Sequence, residues 1–232
     1  MKKIPIESNQ DWWWYKAKAN VLIYILKTFS EDSLAILEIG PGKGNNLRAL
    51  SKFGNIDILE TELSFIQHIK ENSKVKVGNY YKSFSEIEKK YDLIILLDVI
   101  EHIENTKEFI NAVTNLLLSE GKLIVAVPAY KSLWSIHDDR LKHFRRYTWK
   151  MLYKELEDYK ILKKIGVNWI LLPVRYMQIK FSNNVHTTKK TNNLLNNILY
   201  FITLIEHFLR ILKINAKFGI SLYVVAQKKT NH

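Results

Sequence analysis

The feature that most constrains the fold is the apolar run Leu34-Ala35-Ile36-Leu37-Glu38-Ile39, which enters Gly40-Pro41-Gly42-Lys43-Gly44 and leaves as a helical pattern over residues 46–53. A strand that turns through three glycines into a helix presents backbone N–H groups at the helix start and keeps Cβ atoms clear of a ligand. The alternation then repeats. Residues 56–59 read as a second strand with a helix to about residue 69, and 74–77 as a short third strand. Residues 91–97, with one acid at Asp92, read as a buried central strand, followed by a helix over about 106–119. Residues 122–127, stopped by Pro128, form a fifth strand; 149–159 read as a helix, 161–169 as a strand and 221–227 as the last strand. Strands alternating with helices imply an α/β fold with a mostly parallel sheet covered on both faces.

The chain divides into an aromatic N-terminal helix or cap at 1–30, a core at 31–170 and 218–229, and an insertion at 171–217. In the insertion, Leu194, Ile198, Phe201, Ile205, Phe208 and Leu212 are spaced 4, 3, 4, 3 and 4, with Asn197, Tyr200, Thr203, His207 and Arg210 on other faces. This amphipathic piece reads as a lid or a dimer contact. Asn196, Asn197, Glu206, His207 and Arg210 interrupt its apolar stretch and make it a poor spanning helix. Met1-Lys2-Lys3 leads into Ile4-Pro5-Ile6-Glu7 and not into a targeting segment, so a cytoplasmic protein is expected, with peripheral membrane contact through 194–213 as an option.

None of the 232 residues is cysteine, which excludes disulfides, thiolate zinc sites, iron–sulfur clusters and a cysteine nucleophile. The net charge is +12. Residues 1–174 hold 26 basic and 22 acidic side chains, whereas 175–232 hold 9 basic and only Glu206. The surplus gathers on the insertion side, where it favours an anionic acceptor or surface over nucleic acid; a coding bias towards lysine and asparagine is the bland alternative.

The glycine spacing discriminates between ligands. A dinucleotide turn has glycines at i, i+2 and i+5, but position 45 is asparagine, and Glu38 would repel a pyrophosphate. A cation removes that objection. S-adenosylmethionine carries a sulfonium and an ammonium and has no phosphate. Glu60, 20 residues past Gly40, stands at the end of the second strand, placed to accept from both ribose hydroxyls. Gly78-Asn79-Tyr80 offers an amide for the adenine edge and an aromatic face beside it.

With these residues in place the chain resembles the class I S-adenosylmethionine-dependent methyltransferases, in particular the ubiquinone-biosynthesis-type and related small-molecule group. The resemblance rests on ILEIGPGKGNNL at 36–47, Glu60, YDLIILLDVIEHIEN at 91–105 and GKLIVAVPAY at 121–130, with the aromatic QDWWWYKAKANVLIYIL, the HDDRLKHFRRYT stretch and the closing GISLYVVAQKK. It implies a Rossmann-like seven-stranded, mostly parallel sheet whose last strand is antiparallel, and S-adenosyl-L-methionine as cofactor, leaving as S-adenosyl-L-homocysteine, with no metal. It further implies that Glu38, Gly40, Gly42 and Gly44 line the methionine portion, that Glu60 holds the ribose, that Asn79 and Tyr80 face adenine, and that Asp98 and Val99 approach the sulfonium. Two departures stand out: Asn79 replaces the acid common after the third strand, and Lys18 replaces an arginine in the aromatic N-terminal pattern.

Methyl transfer is a displacement with a neutral leaving group, so alignment and water exclusion dominate, and a base matters only when the nucleophile must lose a proton. His102, His137 and His143 are candidate bases, each against packing or capping as the plainer role. Arg145 and Arg146, with Trp134 and Tyr147, offer planar donors for an anionic acceptor, unless the arginines pair with Asp138 and Asp139. Trp14 is a further candidate for acceptor contact, with core packing as its alternative. The expected function is methyl transfer to an oxygen or nitrogen of a small-molecule or lipid-linked, anionic acceptor by a monomer or homodimer. The competing readings are an RNA methyltransferase, disfavoured by Asp98-Val99-Ile100-Glu101 in place of a base-methylating motif, and a non-catalytic ligand-binding protein.

Overall fold

The structure, a computed structural model, describes residues 12–29, 33–181 and 192–229. Of the anticipated cap and insertion, residues 1–11, 30 and 182–191 lie outside the described residues. Seven strands are present among those described: β1 (Leu34–Ile39), β2 (Gly54–Leu59), β3 (Tyr80–Tyr81), β4 (Tyr91–Leu97), β5 (Leu117–Pro128), β6 (Tyr159–Val167) and β7 (Ser221–Lys228). They form one sheet in the order β3-β2-β1-β4-β5-β7-β6. Strands β1 to β5 pair in parallel, and β7 inserts antiparallel between β5 and β6. Ile39 lies level with Leu59 and Leu96, so the C-terminal ends of the three central strands share one edge.

Period-two alternation explains why both faces are covered. In β5, Leu123, Val125 and Val127 join one core while Ile124 and Ala126 join the other. The first core takes Ile110 and Val113 of α4 (Thr106–Asn115), together with Leu152 of α6 (Trp149–Glu155). The second takes Val21, Leu22 and Ile25 of α1 (Trp13–Leu26), Leu47 and Leu50 of α2 (Leu47–Leu50), and Ile69 of α3 (Leu63–Asn72). The remaining helices are α5 (Ile136–Arg140), α7 (Leu172–Phe181) and α8 (Asn193–Ile211). Asn105 caps α4 by accepting from the Glu108 N–H at 3.3 Å, and Asn192 caps α8 by accepting from the Leu195 N–H at 2.8 Å.

Several bounds differ from the sequence expectation: the helix expected over 149–159 ends at Glu155 because Tyr159 already opens β6, and two further differences bear on the sheet. The third strand is Tyr80–Tyr81 and not 74–77, because ladder bonding to β2 begins only where the Gly78 N–H donates to the Ile56 carbonyl at 2.8 Å and the Ile58 N–H to the Asn79 carbonyl at 3.0 Å. The helix expected to reach residue 119 stops at Asn115, since Leu117 already pairs with Tyr91 as the start of β5.

Asp57 holds the β2 to β3 crossing together. Its buried carboxylate accepts from the Asn79 N–H at 2.8 Å, the Asn79 side-chain amide at 3.2 Å and the Tyr91 hydroxyl at 2.8 Å, and pairs with the Lys89 ammonium at 2.5 Å. Burial alone would raise this carboxyl, but these partners outweigh it and hold it below the usual aspartate value. We expect Asp57→Ala to cost about 2–4 kcal/mol of stability at neutral pH, measured by urea unfolding. Because the folded-state value is depressed, the difference from the wild-type chain should shrink as pH falls below the ordinary aspartate range.

Candidate active site

The turn after β1 carries Gly40, Gly42 and Gly44 at φ of +67°, +54° and +74°. Two of them are also sterically required: a Cβ on Gly40 would lie 2.9 Å from Val99 Cγ2, and one on Gly44 2.7 Å from Leu47 Cδ1. Around Gly42 nothing lies within 4 Å of that position, so this glycine borders free space.

Two carboxylates stand at the adjoining strand ends, Glu38 on β1 and Glu60 just past β2. Glu38 is 1% exposed; its Oε1 accepts from the Asn46 amide at 2.8 Å, and its Oε2 has no hydrogen-bond partner among the described residues. Burial pushes its carboxyl up to about 7, with Asn46 lowering it and the nearby Glu60 adding to the rise. Glu60 accepts from the Gly42 N–H and the Glu62 N–H, both at 3.0 Å, which pins the glycine turn to the end of β2. An orphaned, buried carboxylate oxygen at the strand end that leads into this turn suits a ligand that brings a cation. Asn79 is exposed and its amide nitrogen is committed to Asp57, which leaves its carbonyl oxygen for a donor such as an amino group. Tyr80 is half-buried with the Lys70 ammonium 4.9 Å from its ring centre. These residues fit S-adenosylmethionine.

The end of β4 contributes more than the sequence suggested. Asp98 sits at φ +56°, its N–H donating to the Ala126 carbonyl at 2.9 Å, and its carboxylate is bound by the Lys18 ammonium from α1. Burial would lower Lys18, but Asp98 outweighs it and holds the ammonium above the ordinary lysine value. The Tyr223 hydroxyl, within electrostatic reach of this pair, is buried without a partner among the described residues. Glu101 is completely buried with neither carboxylate oxygen partnered among the described residues, and burial followed by the Asp98 charge raises its carboxyl well above the usual glutamate value. The sequence reading did not select Glu101; an acid inside Val99-Ile100-Glu101 was the available signal.

Of the three histidines, His143 is the one paired with a buried carboxylate. Its Nδ1 lies 2.9 Å from Asp138 Oδ1, and its buried Nε2 has no partner among the described residues. Burial would raise Asp138, but His143 and Arg146 hold it well below the carboxylate range, so it accepts and Nδ1 carries the proton. The His102 ring stands edge-on to His143 at 4.5 Å, and one donor atom each from Glu101, His102 and His143 lies within 4.8 Å of the others. His137 is exposed on α5, apart from this group.

The loop that was expected to grip an anion is spent internally. Arg146 donates to Asp138 through Nε at 2.7 Å and Nη2 at 3.0 Å, and to the Ala129 carbonyl at 3.2 Å. Arg145 donates to Thr106 Oγ1 at 2.9 Å and the Glu104 carbonyl at 2.8 Å. Tyr147 is fully buried, its hydroxyl donating to the Ile100 carbonyl at 3.1 Å, and the Trp134 indole N–H donates to Asp139 at 2.9 Å. These internal bonds, and not contacts to an acceptor, are what the structure shows for the four residues, and they fix the segment that carries His143. Trp14 is half-buried, edge-on to Trp13 at 5.3 Å and 5.4 Å from the Lys18 ammonium, at the same end of α1 as Lys18.

A seven-stranded sheet with a glycine turn after β1 and acids at the ends of β1 and β2 defines a class I, Rossmann-like cofactor-binding fold. Residues 11–162 match the family described as a methyltransferase domain, and the chain belongs to that family. A ubiquinone biosynthesis O-methyltransferase of Rickettsia bellii is 32% identical over 118 residues, 47% of this chain and 49% of that protein. Its mitochondrial counterpart in Dictyostelium discoideum is 28% identical over 113 residues, 41% of this chain and 35% of the other. The chain thus spans about half the length, or less, of the curated relatives it matches. Among solved structures, magnesium protoporphyrin IX methyltransferase from Synechocystis with bound S-adenosylhomocysteine superposes at TM-score 0.59 and 11% identity, over 99% of this chain and 90% of that one. The N-methyltransferase NodS from Bradyrhizobium japonicum does so at 0.56 and 10%, over 93% and 97%. These likenesses show the fold.

The raised Glu38 carboxyl has a thermodynamic sign. Its folded value lies above its unfolded one, so its contribution to stability is present in acid and is lost as pH rises to about 7. A bound cation reverses this by favouring the ionised form. S-adenosylmethionine affinity should therefore rise by close to tenfold per pH unit below pH ~7 and level off above it, with Glu38→Gln flattening the profile in calorimetry. Glu60→Ala should weaken the same binding by about 1–3 kcal/mol.

Proposed function

We propose that the protein is an S-adenosylmethionine-dependent methyltransferase acting on a hydroxyl of a small-molecule or lipid-linked acceptor. The observation that carries the cofactor is the orphaned Glu38 oxygen at the end of β1, which leads into the glycine turn whose Gly42 faces open space. When bound, S-adenosylmethionine supplies an electrophilic methyl group on a sulfonium. Glu38 and the glycine turn would hold its amino-acid portion, Glu60 its ribose, and Asn79 with Tyr80 its base.

An oxygen nucleophile is favoured over nitrogen by the Asp138–His143 pair. Asp138 keeps the proton on Nδ1, which leaves the Nε2 lone pair to take a proton from an acceptor hydroxyl; a neutral amine would need no such base. The O-methyltransferase names of the curated relatives agree with this reading. With Arg145 and Arg146 committed elsewhere, anionic character in the acceptor loses its support. A second reading is favoured by the two unpartnered Glu101 oxygens: Glu101, His102 and His143 would together hold a divalent cation beside the acceptor, contrary to the metal-free chemistry expected from the sequence.

Cofactor binding is tested by thermal melting: S-adenosylhomocysteine should raise Tm, and no shift would reject the assignment. With an acceptor identified by transfer of labelled methyl into cell-extract fractions, His143→Gln should lower kcat by about 10²-fold while leaving S-adenosylhomocysteine affinity unchanged. Turnover abolished by chelation and restored by magnesium would assign the triad to a cation instead of a base.

A further inference from the structure

The helix α8 is mounted with its polar face inward. Glu206, 2% exposed, accepts from the Asn168 N–H at the end of β6 at 2.7 Å and from Arg210, 3% exposed, at 2.9 Å. Alongside, α1 runs in the same direction: the Trp13 N–H donates to Asn196 at 2.9 Å, Lys16 lies 5.3 Å from the Tyr200 ring centre, and Tyr24 meets His207 edge-on at 6.3 Å. These contacts set the rotation of α8 about its axis.

The apolar stripe is consequently turned to solvent. Ile198, Phe201, Ile205, Phe208 and Leu212 are exposed, Phe201 at 63% and Phe208 at 60%. Leu204 and Ile211 widen this face to about 140° of arc at 3.6 residues per turn, beyond the narrow seam that a two-helix pairing uses. By length and composition α8 is the one helix among the described residues that could cross a membrane, yet its two charged residues pair against the protein body, which keeps it on the surface. Every exposed charge on α7, α8 and the connection to β7, among the described residues, is positive: Lys180, Lys213 and Lys217.

We propose that this face of α8 docks on an anionic lipid surface, the apolar arc entering the headgroup boundary and the lysines pairing with phosphates. An uncharged apolar arc with Lys213 and Lys217 just past its C-terminal end is the chemistry that an interfacial helix requires. Because the N-terminal end of α8 lies against Trp13, on the helix whose Lys18 binds Asp98, docking would set the α1 side of the site beside the lipid. The inference does not depend on the methyl-transfer reading.

Co-sedimentation of the full chain with vesicles tests it. The protein should bind phosphatidylcholine–phosphatidylglycerol vesicles and bind phosphatidylcholine alone at least tenfold more weakly. Phe201→Asp with Phe208→Asp should lower anionic-vesicle binding more than tenfold, and Lys213→Gln with Lys217→Gln by about fivefold per lysine. Both variants should keep the wild-type Tm shift with S-adenosylhomocysteine, which shows that they fold and separates this outcome from failure of the cofactor assignment. Absence of vesicle binding, or binding unchanged by the phenylalanine substitutions, would overturn the proposal. So would a wild-type dimer, seen by sedimentation velocity without vesicle binding, that the same substitutions convert to monomer; the face would then belong to a second copy.

Discussion

The site depends on one ion pair, Lys18 with Asp98. Asp98 leaves β4 in a left-handed backbone conformation, and the ammonium that reaches it comes from the N-terminal helix, 80 residues away in sequence. The ammonium is the more buried member, its side chain 12% exposed against 33% for Asp98, and an uncompensated charge there would cost several kcal/mol. The pair ties α1 to the C-terminal edge of the sheet, and α8 follows because it is bonded along α1. The departure from arginine to lysine at position 18 turns out to matter geometrically: a single ammonium serves Asp98 as a point charge, without a fork for a second carboxylate.

Around this pair the chain concentrates buried ionisable groups whose partners are incomplete. Glu38, Glu101, His143 and Tyr223 each have a buried polar atom without a partner among the described residues, whereas Asp57, Asp138 and Glu206 are well bonded. The distinction is positional. The bonded acids stitch elements together: Asp57 joins β2 to the segment before β3, Asp138 joins α5 to the following loop, and Glu206 joins α8 to the end of β6. Apart from His207 on α8, the incomplete ones lie near the strand ends, where a ligand can complete them.

The segment containing His143 illustrates how charge in a loop can mislead. Arg145 and Arg146 read as an anion clamp because planar guanidinium donors suit phosphate and carboxylate. In the fold Arg145 reaches Thr106 and Glu104, 39 and 41 residues back and just beyond the end of β4, while Arg146 takes Asp138 of its own segment. Linear order carried the possibility of internal pairing with Asp138 but could not choose it, because the choice rests on which donor is buried. Likewise the 4-3-4-3-4 stripe announced an amphipathic helix without saying which face would be covered.

What the sequence determined by itself is the order of strands and helices, the glycine turn and the acids at the ends of the first two strands. These are local consequences of apolar periodicity, of glycine's freedom at positive φ and of side chains immediately adjacent to strand ends. The methyltransferase family was legible in those same residues. Only the tertiary structure decided the start of the third strand, the engagement of Arg145 and Arg146, the pairing of His143 with Asp138, the burial of Glu101 and the outward turn of the α8 stripe. In each, desolvation and hydrogen bonding compete among several candidate partners, near or distant in the chain, and no local pattern encodes which partner a buried polar group will meet.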